Sequence, residues 1–243
     1  MYLVLAAQKY SHSACNTQIF PSYSLDNLKF QPLQPVLKKD VTSTALIFTD
    51  FKAIGNVPRG LYRLRNKPVI EYVLEAVPDE VDELVISVRD ERDKEAYTET
   101  AEKYIANIHL CAGGLASTLT SYMSYSTSDR YLVLPCDAPL LTQEFTKFLL
   151  DTCSRFSAAI IRDANGRPEY FFSGYRKDAF LRASNQAAAD NMDEIVKHIR
   201  NALYIYTGAL RIFDEKMVLL YRVTSGTEAR RAERIISSRL KNI

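Results

Sequence analysis

The stretch Tyr131-Leu132-Val133-Leu134-Pro135-Cys136-Asp137-Ala138-Pro139-Leu140 constrains this chain most. Four apolar residues ended by a proline predict a short strand buried on both faces. The run then stops at a carboxylate held between two prolines, each of which keeps its neighbour extended. Asp137 is therefore expected at the carboxyl end of a buried strand, the edge where open α/β sheets bind ligands. A carboxylate there, beside a phosphate-bearing ligand, suits Mg²⁺. The same residue could instead cap the helix that follows Leu141, and the local sequence leaves both readings open.

The surrounding pattern places that strand in an α/β fold. An apolar strand, Thr44–Phe48, is followed by a loop from Thr49 to Pro58. Lys67-Pro68 then opens a helix with Pro68 at its first position and Val69, Ile70, Val73, Leu74 and Val77 on one face. Strands are expected at Glu83–Val88 and Ile108–Leu110, with a charged helix over Glu91–Ile105 between them. Gly113-Gly114 turns into a helix from Leu115 to about Tyr125. The Asp137 strand follows, then a helix with Phe145, Phe148, Leu149 and Thr152 on one side. This alternation predicts a mostly parallel sheet covered on both faces.

The second half is less regular. Strands are read at Ser157–Ile161, Glu169–Phe172, Ala202–Tyr206 and Met217–Tyr221. Asp190 or Asn191 caps a helix bearing Met192, Ile195, Val196 and Ile199. Ser225-Gly-Thr-Glu228 is a capping box opening a last helix, with Ala229, Ala232, Ile235 and Ile236 inward. Residues 1–40 mix Ser, Asn, Gln and Pro with isolated aromatics and read as an appended, poorly ordered segment ahead of one domain over 41–243.

Bulk properties narrow the function classes. The 243 residues carry a net charge of +2, with Lys and Arg scattered rather than striped. That argues against a nucleic-acid binder while leaving room for a small anionic substrate. Cys15, Cys111, Cys136 and Cys153 form no C-x-x-C pair and the three histidines no i, i+4 pair, so zinc-type spacing is absent. Isolated thiols suit a reducing compartment. Met1–Ala7 is apolar but too short to span a bilayer. A soluble cytoplasmic protein without a membrane partner is expected.

The Thr49–Arg59 loop lies where α/β nucleotide binders place a phosphate loop, yet it holds one glycine, Gly55, with Gly60 just beyond. Walker A and G-x-G-x-x-G are both absent, and Asp50 would repel phosphate, so the residues by themselves favour a plain connecting loop over a phosphate loop. Lys52 reads first as a solvated loop lysine and second as a spare cation for the site. Cys136 reads as a small buried hydrophobe rather than a nucleophile.

Taken with Arg59-Gly-Leu-Tyr-Arg-Leu-Arg-Asn-Lys67-Pro68, these elements resemble the MobA-like nucleotidyltransferases, the molybdenum cofactor guanylyltransferases and their relatives. The family pattern runs L-A-G-G-x-S-x-R-M-G-x-x-K-x-L, then G-K-P, G-P-L-A-G, C-D-x-P and N-x-N-T-P-x-D/E. Gly113-Gly114-Leu115-Ala116-Ser117 is similar to G-P-L-A-G, Pro135–Pro139 matches C-D-x-P, and Arg222–Glu228 stands at the last element. The resemblance covers about residues 44–240. It departs where Phe48-Thr49-Asp50-Phe51 replaces L-A-G-G, Arg59 replaces the lysine, and Arg222 replaces the first asparagine. No clear counterpart of the acidic residue ahead of G-P-L-A-G stands near Leu110–Ala112.

The resemblance implies a three-layer, Rossmann-like nucleotidyltransferase fold with a mostly parallel central sheet. It implies Mg²⁺-dependent transfer of a nucleoside monophosphate, GMP by default, from a triphosphate to a phosphorylated acceptor such as molybdopterin. Asp137 would carry Mg²⁺ and Arg59 would contact the triphosphate. Phe48, Thr49, Asp50, Phe51 and Lys52 would lie beside the nucleotide, with Gly113, Gly114, Leu115 and Ala116 lining its pocket. The missing loop glycines leave open a catalytically inactive binding or regulatory protein.

Overall fold

Strand β1 (Ser43–Phe48) is buried along its whole length, with Ala45 and Ile47 on one side and Leu46 and Phe48 on the other. A strand covered on both faces calls for apolar residues, which Ala45–Phe48 supply, while the buried Ser43 and Thr44 at its start hydrogen-bond to Asp82, Glu83 and Ser128. In this computed structural model, which describes residues 42–50 and 52–240, β1 lies near the middle of the sheet. Two short hairpins follow, β2 (Ala53–Ile54) with β3 (Val57–Pro58) and β4 (Arg63–Leu64) with β5 (Lys67–Pro68). A 3₁₀ turn, Arg59–Leu61, joins them.

The regular alternation comes next. Helix α1 (Val69–Glu75), β6 (Glu83–Val88), α2 (Glu91–Lys103), β7 (Asn107–Leu110), α3 (Leu115–Tyr125), β8 (Arg130–Pro135) and α4 (Gln143–Thr152) follow in order. The remainder is β9 (Ala158–Arg162), β10 (Pro168–Arg176), α5 (Lys177–Ser184), α6 (Met192–Lys197), β11 (Ala202–Tyr206), a 3₁₀ segment Thr207–Ile212, and α7 (Gly226–Leu240).

One seven-stranded sheet runs in the order β11-β9-β10-β8-β1-β6-β7. Pairs β8/β1, β1/β6, β6/β7 and β9/β11 are parallel, and β10 alone runs antiparallel to its neighbours β8 and β9. Helices α1, α2 and α4 cover one face through Ile70, Val73, Tyr97, Phe145 and Leu149. Helices α3, α5 and α6 cover the other through Leu119, Met123, Phe180 and Ile195. The three-layer α/β arrangement with a mostly parallel sheet agrees with the expectation from the sequence.

Several local expectations need correction. Lys67-Pro68 is the second strand of a hairpin, so Pro68 precedes α1 as its cap rather than filling its first position. The Thr49–Pro58 connection contains the β2/β3 hairpin, turning at Gly55, whose φ is +62°. Met217–Tyr221 is not a strand. Asp214 bends this segment by accepting from the backbone N–H of Val218 at 2.7 Å, and Leu219 is buried through packing alone. Helix α5 gave no clear sequence signal; it is short and uncapped by any side chain. The expectations for residues 1–40 and for Phe51 lie outside the described residues. Among the described residues, no helix is long and apolar enough to cross a membrane.

Candidate active site

The parallel strands β1, β6 and β8 end on the same edge of the sheet. Chain connectivity runs from β1 to β6 on one side and later to β8 on the other, which makes the β1/β8 boundary a topological switch point. Asp137 follows β8 there and is wholly buried. Asp50 follows β1. Its φ is +47°, a left-handed conformation that Asp tolerates better than most residues. The family pattern that the sequence resembles has a glycine here, the residue that adopts positive φ most freely.

Four charged side chains meet at this edge. Arg222 Nε donates to Asp137 Oδ1 at 2.6 Å, and Arg222 Nη2 donates to Asp137 Oδ2 at 3.0 Å. This is the bidentate fork of a guanidinium on a carboxylate. Arg59 Nη1 spans Asp137 Oδ2 at 2.9 Å and Asp50 Oδ2 at 2.7 Å. Arg222 Nη2 also reaches Asp50 Oδ2 at 3.1 Å. Two carboxylates and two guanidiniums thus form a neutral, mostly buried cluster. Burial pulls the Arg222 pKa down, but the Asp137 hydrogen bond and the Asp137 and Asp50 charges more than offset it. Burial raises the pKa of Asp50, with Arg59 opposing and Asp137 adding to the rise.

The chain holds Arg222 in place by three independent means. The backbone N–H of Val223 donates to the Asp137 carbonyl at 2.8 Å, so the two segments are joined next to the ion pair. The ladder between β10 and β9 shifts register between Glu169 and Ser173, and the bulged segment carries Phe171. The Phe171 ring lies 4.9 Å from the Arg222 guanidinium carbon and 5.5 Å from the Phe48 ring. Beyond Arg222, Val223 is buried with Ala229 and Ala232 of α7.

The second feature is a polar cavity of ≈ 280 Å³ beside the cluster, lined by Thr49, Lys52, Asn56, Arg89, Arg92, Asp93 and Tyr97 among others. It opens where the neighbouring strands β1 and β6 end. Thr49 ties those ends together, its hydroxyl donating to the Ser87 carbonyl at 2.9 Å. Three basic residues against one acidic residue suit a polyanion. Arg89 also pairs with Asp90 and Asp93 across the start of α2.

The expected site residues distribute as follows. Asp137, Asp50 and Arg59 come together, and Thr49 and Lys52 line the adjoining cavity. Arg59, expected to contact the triphosphate, is 6% exposed, faces Asp50 and Asp137, and is not among the residues lining the cavity. Asp137 was expected to carry Mg²⁺, but both its oxygens accept from guanidiniums. Among the described residues, no three His, Cys, Asp or Glu side chains are grouped to hold a metal ion. The donor set at Asp137 therefore does not fit a divalent cation in this arrangement. Phe48, Leu115 and Ala116 pack in the core, and Gly113–Ala116 stand after β7, outside the residues lining the cavity. Cys136 is buried against the Thr49 carbonyl, and burial pushes its thiol pKa well up, which fits a small hydrophobe. Arg222 was not anticipated as a site residue; its signal was the unusual arginine at the start of the late motif.

A family model described as MobA-like NTP transferase domain matches residues 53–202. A molybdenum cofactor guanylyltransferase of Shewanella halifaxensis (strain HAW-EB4) is 30% identical over 140 residues, 57% of this chain and 68% of that protein. One from Shewanella sp. (strain ANA-3) is 29% identical over 119 residues, 49% of this chain and 59% of that protein. Among solved structures, molybdopterin-guanine dinucleotide biosynthesis protein A from Archaeoglobus fulgidus superposes with a TM-score of 0.63 at 20% identity, covering 81% of this chain and 100% of that one. A 4-diphosphocytidyl-2C-methyl-D-erythritol synthase from Anaerococcus prevotii DSM 20548 gives 0.58 at 13% identity, covering 81% and 96%. At these identities the structural likeness concerns the fold.

Proposed function

The chain belongs to the MobA-like NTP transferase domain family, and on that premise we propose that it moves a nucleoside monophosphate from a nucleoside triphosphate to a phosphorylated acceptor. GTP and a molybdopterin-type acceptor are the choice supported by the named relatives. The observation that carries the reading is the cation-lined cavity at the carboxyl ends of β1 and β6, beside the carboxylate–guanidinium cluster.

In this reading the triphosphate enters that cavity, with Lys52 and Arg92 drawing its β- and γ-phosphates. Thr49 and Lys52, which line the cavity, flank the nucleotide. An acceptor phosphate oxygen attacks the α-phosphorus. The bond between that phosphorus and the bridging oxygen breaks, and pyrophosphate leaves with the electron pair. Such a reaction needs positioning and charge neutralisation more than covalent chemistry from the protein. The cluster of Asp50, Arg59, Asp137 and Arg222 fixes the floor of the site. No step is assigned to a metal ion at Asp137, because its donors do not fit one.

The test supplies the purified chain with GTP, Mg²⁺ and molybdopterin. Pyrophosphate release, with a product heavier than the acceptor by a GMP unit, is expected. Absence of release with GTP, CTP and ATP alike would overturn the reading. A second reading, a nucleotide-binding or regulatory protein without turnover, is favoured by the full occupation of the Asp137 oxygens. It predicts saturable nucleotide binding with no pyrophosphate.

A further inference from the structure

The guanidinium of Arg222 sits where a cation bound to Asp137 would have to sit. It engages both oxygens of a wholly buried carboxylate, one of which it shares with Arg59. A divalent cation needs several oxygen ligands at short range and would have to displace at least one of these bonds. It would also add two positive charges to a cluster that is already balanced. Buried unbalanced charge is costly, so the two cations compete rather than coexist.

We propose that Arg222 acts as a built-in cation that takes the place of an exchangeable divalent ion at Asp137. This deepens the nucleotidyltransferase reading and rests on it only for the purpose the charge would serve. The guanidinium is held as a permanent part of the fold. The Val223–Asp137 backbone bond fixes its approach, Phe171 covers it, and Asp50 gives its Nη2 a further acceptor. An arginine cannot lose its proton in the working pH range and does not exchange with solvent ions. The site is thereby committed to one positive charge of fixed geometry.

Asp50 Oδ1 is buried and makes no hydrogen bond. Without Arg222, Asp137 Oδ1 loses its hydrogen-bond donor and Asp137 Oδ2 keeps only Arg59. The two carboxylates remain bridged through their Oδ2 atoms by one nitrogen of Arg59, at 2.7 Å to Asp50 and 2.9 Å to Asp137, which keeps them side by side.

The test is Mn²⁺ binding to the nucleotide-free chain, read by electron paramagnetic resonance. Wild type and Asp137→Asn should bind Mn²⁺ equally and weakly. Arg222→Asn should gain one site at least tenfold tighter than any in wild type, and the added change Asp50→Asn should remove it. Arg222→Met, which keeps the length and packing without charge, serves if the asparagine variant does not fold. A tight wild-type Mn²⁺ site that disappears in Asp137→Asn would overturn the proposal. So would folded Arg222 variants that gain no site. These outcomes are independent of turnover. A chain that releases no pyrophosphate but behaves as described towards Mn²⁺ would sink the transferase reading and leave this one standing.

Discussion

Asp137 sits at 0% exposure with three hydrogen bonds from two arginines, and most of the site's energetics follow from that. Removing one member of a buried ion pair leaves the partner's charge uncompensated, at a typical cost of about 3–5 kcal/mol. Here Asp50 still accepts from both arginines, so Asp137→Asn should fold but lose about 3 kcal/mol, the lower end of that range. Urea denaturation checks this, and a loss below roughly 1 kcal/mol would mean that the cluster is not formed in solution. The proline-flanked carboxylate was legible in the sequence because the prolines and the apolar run fixed its place on the chain. Its partners were not. Arg59 and Arg222 lie 78 and 85 residues away from it, and no local pattern signals an ion pair across such separations.

At the scale of elements, short-range rules fixed what they could reach. Helix α3 spans Leu115–Tyr125 as the Gly-Gly turn and apolar spacing indicated, and Asn191 caps α6 by accepting from the Glu194 N–H. The capping box of α7 is also formed. Ser225 Oγ accepts from the Glu228 N–H at 3.3 Å, and the Glu228 carboxylate reaches back to the Thr224 N–H at 2.8 Å. The hydrogen bond from the Thr224 hydroxyl lowers the pKa of Glu228, with burial opposing and further bonds from Thr224 and Ser225 assisting. A carboxylate with a depressed folded pKa stabilises the fold above its unfolded value of 4.5, and that stability is lost as pH falls through the folded pKa. Glu228→Gln should therefore cost about 0.5–1 kcal/mol at pH 7, with wild type and variant converging in acid. Denaturation curves at pH 7 and below pH 4 would check it, and an unchanged difference in acid would contradict it. Elements held by packing were harder to read. Met217–Tyr221 looked like a strand because its residues are apolar, but apolar residues also fill loops that lie against a core. Strand β10 approaches α4 so closely that a Cβ on Gly174 would stand 2.6 Å from Cys153 Sγ and 2.8 Å from the Leu149 carbonyl. Gly174→Ala should lower stability by about 1–3 kcal/mol through overpacking. A thermal midpoint equal to wild type would show that α4 can move away freely.

For the whole molecule, the alternation of strands and helices through residue 150 carried the architecture, because parallel strands need crossover helices and right-handed crossovers leave few topologies. The antiparallel β10 and the late segment bearing Arg222 complete the sheet and the site, and both depend on pairings between distant parts of the chain. The cluster and the cavity at one sheet edge lead to the central claim, that this edge binds a nucleoside triphosphate. Calorimetric titration with GTP, repeated with CTP and ATP, tests it most directly. The account predicts saturable binding of at least one triphosphate to wild type, and at least tenfold weaker binding, about 1.4 kcal/mol, when Lys52 and Arg92 are both replaced by alanine. No binding of any of the three at millimolar concentration, with or without Mg²⁺, would contradict it.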